Sequence, residues 1–188
     1  MLTGFLLESP LHAVGSWAVL LLLDYLLPLI GGRLLRRYAD ERIQPEFHRM
    51  NPVYLERPRG FLRFVVALVG PGLALVATWF VLPRVYLWLC GALLFPRLML
   101  VLRHKRSLSA LLGLKMMPGA VEGGVRYTKA YIYRSSASDL AVYALLLGLG
   151  WAIAPHPMFL GGCVSLSALA ILHYQRGLST RRLPEVRP

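Results

Sequence analysis

Hydropathy divides the chain into five apolar spans separated by polar segments. They run at about Leu11 to Ile30, Phe64 to Leu82, Val85 to Leu102, Asp139 to Ala154 and Met158 to Tyr174. At about 1.5 Å per residue, each helix is near the ~30 Å hydrocarbon thickness or somewhat short of it. The pattern predicts an all-α integral membrane helical bundle: one transmembrane domain over residues 1–188 with five transmembrane helices. Leu140 to Gln175 holds no Asp, Glu, Lys or Arg, and a single helix of that length overshoots a bilayer. Pro155-His156-Pro157 breaks it, because proline lacks the backbone donor and clashes with the preceding turn. The expected result is a tight hairpin.

Local signals refine the spans. Ser136 followed three residues later by Asp139 reads as a variant capping box opening the fourth helix. Gly161, Gly162, Ser165 and Ser167 mark the fifth span for close helix contact. Gly70-Pro71-Gly72 predicts a kink in the second. In the second polar segment, Val125, Tyr127, Tyr131 and Tyr133 share one strand face, and Gly123-Gly124 suits a turn before them. A short cytoplasmic strand or hairpin is expected there, with Arg126, Tyr127, Lys129, Tyr131 and Tyr133 as a candidate interaction surface.

Charge orients the map. All but Arg84 and Arg97 of the 21 Lys and Arg residues fall in three segments: Arg33 to Arg63, Arg103 to Arg134 and Arg176 to Arg187. Basic segments stay cytoplasmic during insertion, so the N-terminus is expected outside and the C-terminus inside. Trp17, Trp79, Trp88 and Trp151 near the outer ends fit an aromatic belt, with Tyr143 and Tyr174 near inner ends. Met1 to Pro10 has no Lys or Arg, so a cleavable signal peptide is not expected; the first span reads as a retained helix. The chain is 56% hydrophobic with net charge +12. That charge sits beside membrane spans, where anionic headgroups are its partners, and no nucleic-acid module is evident. Cys90 and Cys163 make no metal motif. They lie at similar depth, and read as two free apolar thiols more readily than as a bridge.

Asp24 and Arg97 are the strongly ionisable residues well inside the spans. Both lie about 9–10 Å from the cytoplasmic boundary by helical rise, a depth that permits a salt bridge. Charges at that depth cost several kcal/mol and face a partner or a cavity. An ion pair that pins two helices is the plainer reading; headgroup snorkelling by Arg97 is another. An ion, proton or anion site is the functional one, helped by Pro96, which frees a carbonyl one turn earlier. No triad order, phosphate loop, haem or zinc motif is evident, and no cofactor or metal is expected.

Asp24-Tyr25-Leu26-Leu27, Met50-Asn51-Pro52, Leu102-Arg103-His104-Lys105-Arg106-Ser107-Leu108 and Val121-Glu122-Gly123-Gly124-Val125-Arg126-Tyr127 resemble elements of a group of uncharacterised small prokaryotic membrane proteins. Those carry Asp-Tyr in the first helix and a Glu-Leu-Asn-Pro-like element after it. The chain departs where Met50 precedes Asn51. The resemblance implies a polytopic membrane fold and supplies no activity, substrate or cofactor; together with the topology it leads to an expected place in the cell inner membrane.

Three function classes follow. A structural or accessory subunit with a basic cytoplasmic face, binding lipids and a protein partner or second copy, needs the fewest assumptions. A small transporter or channel component would use Asp24 and Arg97. A lipid-acting membrane enzyme, gathering Glu46, His48, Glu56 and His104, has least support.

Overall fold

The computed structural model describes residues 2–38, 59–116 and 129–179. These form six helices: α1 (Leu2–Glu8), α2 (Pro10–Tyr38), α3 (Arg59–Val81), α4 (Pro83–Met116), α5 (Lys129–Ile153) and α6 (Pro157–Ser179). Five are long and apolar enough to cross a membrane, through Pro10–Arg33, Phe64–Val81, Pro83–Ser109, Ala130–Ile153 and Pro157–Ser179. The chain is therefore an all-α, multi-pass membrane protein. A helix satisfies its own backbone donors and acceptors, which is why this class of element spans lipid. Many large apolar side chains stay exposed on these helices, among them Phe80, Leu145 and Ile153, as a bilayer solvent requires.

Contacts divide the chain into two units. The first comprises α1, α2, α3 and α4 from Arg97 onward; the second comprises Arg84–Pro96 of α4 with α5 and α6.

In the first unit, Ser9 caps α2: its hydroxyl accepts from the Leu11 amide at 3.2 Å. Pro10 occupies the first helical position, where no donor is needed. Ala13, Trp17, Leu21 and Asp24 are buried; spaced by four, four and three, they form one stripe along α2. Pro71 sits inside α3, where it removes the donor that would bond the Ala67 carbonyl. The Trp17 indole supplies it instead, with Nε1 donating to Ala67 O at 3.1 Å. Trp17 is thus an interior residue of this unit, not a member of a lipid-facing belt.

In the second unit, α5 and α6 pack along one another as a hairpin. His156 caps α6, its Nδ1 accepting from the Met158 amide at 3.3 Å and its carbonyl from the Phe159 amide at 3.0 Å. Small residues set the packing. A Cβ on Gly91 would collide with the Met158 carbonyl, and one on Gly161 with the Trp88 carbonyl. One on Gly162 would run into Phe95 and Leu147. Backbones approach closely here because glycine presents nothing between them.

Two expectations are corrected. Lys129, Ala130, Tyr131, Ile132 and Tyr133 are helical, the first turn of α5, and no strand occurs among the described residues. The tyrosine alternation lost to packing against α6, which runs on to Ser179 and meets Tyr133 at His173. Ser136 and Asp139 are consequently inside α5 and cap nothing. Val125, Arg126 and Tyr127 lie outside the described residues.

Candidate functional site

Asp24 is 5% exposed, held inward by the α2 stripe it ends. Arg97 Nη1 donates to its Oδ2 at 2.5 Å. His104 Nε2 donates to Oδ1 at 3.1 Å. Arg97 and His104 are seven residues apart, two helical turns, so both stand on the same face of α4. The carboxylate sits between them and each of its oxygens receives one donor. The guanidinium carbon of Arg97 also lies 5.1 Å from the Trp17 ring centroid, within cation–π range. Pro28, inside α2, removes the donor that would otherwise bond the Asp24 carbonyl.

Chemically the cluster is one carboxylate between a guanidinium and an imidazole. Asp24 and Arg97 form an ion pair in which the acid is the covered partner. Arg97 and His104 side chains are each 23% exposed, so both keep part of their surface uncovered while the acid is covered.

Asp24 and Arg97, marked by depth in the sequence, thus stand together. As a candidate for chemistry, His104 was marked in the sequence as a possible companion of Glu46, His48 and Glu56. Those three lie outside the described residues, and His104 is joined to Asp24 instead. The signal for it was present: a seven-residue spacing from an intramembrane arginine. Of the candidate interaction surface, Tyr131 is exposed and Tyr133 packs edge-on against His173, with centroids 5.8 Å apart. Lys129 opens α5.

A second polar contact joins α5 to α6: His173 Nδ1 and Ser136 Oγ are hydrogen-bonded at 2.9 Å. Serine beside histidine suggests a nucleophile and its base. Ser136 is 1% exposed, which leaves no approach for an acyl group in this arrangement, so the pair acts as an interhelical tie. Cys90 and Cys163 are free thiols; Cys90 is buried, and Cys163 Sγ fills the space beside Gly148. Among the described residues, no group of three His, Cys, Asp or Glu side chains is placed to hold a metal ion. No protein-family model matches the chain, and no curated protein or solved structure does either.

Proposed function

We propose that this protein is a structural or accessory subunit of the inner membrane, inserted with its N-terminus outside and its basic helix ends toward the cytoplasm. The observation that carries this reading is the occupation of Asp24 by two donors from a single helix, Arg97 and His104. Its polar groups at membrane depth are used to hold helices together, as are Ser136 and His173. The orientation is supported by the distribution of charge. Arg33, Lys105, Arg106 and Arg176 stand at the helix ends where basic residues gather, whereas Arg84 alone marks the other side. The resemblance to small prokaryotic membrane proteins supports the choice of membrane.

Extraction in native-lipid particles followed by mass spectrometry tests the reading. A stoichiometric protein partner is expected to co-purify. A chain recovered alone, with a small molecule that disappears in Arg97→Gln, refutes it and favours a transport role. One observation favours that second reading: an imidazole, a side-chain type that recurs in membrane proton relays, stands against the buried carboxylate. Exchanging Asp24 and Arg97 separates the two readings. Under the structural reading the exchange restores accumulation and partner recovery; under the transport reading it restores accumulation alone.

A further inference from the structure

Arg134 lies in the second turn of α5, and its stem runs across α6 at Gly177. A Cβ on Gly177 would stand 3.3 Å from Arg134 Cγ and 3.4 Å from the Ala130 carbonyl, so glycine there leaves the stem its path. The guanidinium carbon lies 5.9 Å from the Tyr174 ring centroid. Its Nε is buried and has no hydrogen-bond partner among the described residues. An arginine donor shut away from water without an acceptor is costly, because the group remains charged at any ordinary pH.

Among the described residues, neither α5 nor α6 offers an acceptor of the right charge beside Arg134. Asp139 is the one acidic residue on α5, and α6 has none. Asp139 lies five residues beyond Arg134, about 140° around the helix, and so faces elsewhere. Arg176 stands at the same end of the hairpin. Tyr174 is 51% exposed, at the level where the apolar stretch of α6 gives way to Gln175 and Arg176. The place is basic and aromatic, and it lies where the apolar stretch of the hairpin ends.

We propose that this end of the α5–α6 hairpin binds the phosphate of an anionic phospholipid. Arg134 is the donor fork and the Tyr174 ring the platform on which it turns. A small shift of the guanidinium along the ring brings its Nε–Nη edge to two phosphate oxygens, the bidentate arrangement that arginine favours. This rests on the reading that the basic helix ends meet an anionic leaflet.

Native mass spectrometry of the full chain, released from nanodiscs of phosphatidylcholine mixed with phosphatidylglycerol, tests it. The unaltered chain retains phosphatidylglycerol. Arg134→Gln lowers that retention about tenfold, the loss expected for one hydrogen-bonded ion contact. Arg84→Gln, at the other end of the same unit, leaves it unchanged. Arg134→Lys keeps the charge but not the fork and retains an intermediate amount; Tyr174→Leu lowers retention with the arginine intact. If Arg134→Gln does not accumulate, the last two variants carry the test. Equal retention in Arg134 and Arg84 variants, or equal loss in both, overturns the site. Saturable binding of inorganic phosphate with no lipid retained overturns the lipid assignment. Cysteine labelling at position 84, with Cys90 and Cys163 replaced by alanine, separates this from the orientation reading. Arg134-dependent retention in a chain labelled from the inside sinks the orientation alone; lost specificity in a chain labelled from the outside sinks the site alone.

Discussion

Arg97→Gln and Asp24→Asn remove the two sides of one ion pair, and the structure makes their costs unequal. Removing Arg97 leaves Asp24, 5% exposed, with His104 at 3.1 Å as its remaining donor. Breaking a buried pair from one side costs about 3–5 kcal/mol where nothing else compensates the stranded charge. His104 compensates in part, so we expect about 2–3 kcal/mol for Arg97→Gln. Asp24→Asn instead strands Arg97, whose side chain is 23% exposed. That arginine keeps the Trp17 face and can extend toward headgroups, so the expected cost is about 1–1.5 kcal/mol. The double variant strands neither charge. It should cost about 2 kcal/mol, well under the sum, which makes the coupling about 1–2 kcal/mol. The assay is reversible unfolding in mixed micelles on titration with dodecyl sulfate, followed by tryptophan fluorescence. Additivity within about 0.5 kcal/mol refutes the pairing. A larger cost for Asp24→Asn than for Arg97→Gln refutes the argument that burial of the acid sets the asymmetry.

The same titration reads the remaining predictions. Gly161→Ala should destabilise by about 1–3 kcal/mol, because the added methyl meets the Trp88 carbonyl. Gly15→Ala has nothing within 4 Å of the new methyl and should be neutral or stabilising by up to about 1 kcal/mol; equal losses would sink the proposed crossing of α4 and α6. Trp17→Phe should cost about 1–3 kcal/mol through the abandoned Ala67 carbonyl. In a Pro71→Ala background the cost should shrink, since residue 71 then supplies its own amide; an undiminished cost contradicts the substitution of indole for amide. Ser136→Ala should cost about 0.6–1.7 kcal/mol, the range for interhelical hydrogen bonds in lipid. The loss should vanish when His173 is already Leu, and a persistent one would mean that Ser136 acts through another contact.

The spans were legible because long apolar runs bounded by charge leave a chain few alternatives in lipid. Pro155-His156-Pro157 was legible as a turn because two prolines withdraw donors from what is otherwise one apolar run. Gly161 and Gly162 were legible as contact points by size and clustering. The start of α5 was not. Val125, Tyr127, Tyr131 and Tyr133 alternate like a strand, but Tyr127 and Tyr131 are also one helical turn apart, so the period did not discriminate. What decided the matter at Tyr133 was its neighbour His173 on α6, some forty residues later. Gly91 carries a crossing as close as that of Gly161, but a lone glycine in an apolar run gives no sign of which neighbour needs the space. Trp17 was read as a belt residue from its depth, because its partner, a carbonyl released by Pro71, is visible only once α2 and α3 are side by side.

Proline placement connects these points. Pro28, Pro71 and Pro96 lie inside α2, α3 and α4, and each withdraws a donor from the carbonyl four residues earlier. Those carbonyls belong to Asp24, Ala67 and Ala92. Each is at a place where its helix meets a neighbour. Asp24 meets Arg97 and His104, and Ala67 accepts from Trp17. The Ala92 amide lies 3.1 Å from where a Gly161 Cβ would stand. In water a released carbonyl is solvated at little cost. In lipid it needs a donor from protein, or protein packed around it, since an unsatisfied backbone group costs several kcal/mol there. Three prolines within apolar helices therefore state where neighbours have to come, as clearly as charge states where a counter-charge has to come. Pro71 and Trp17 show the rule with both partners visible. For the Asp24 cluster it means that the ion pair and the helix interruption beside it are one arrangement: the acid fixes which face of α4 approaches, and Pro28 fixes where along α2 that approach has to occur.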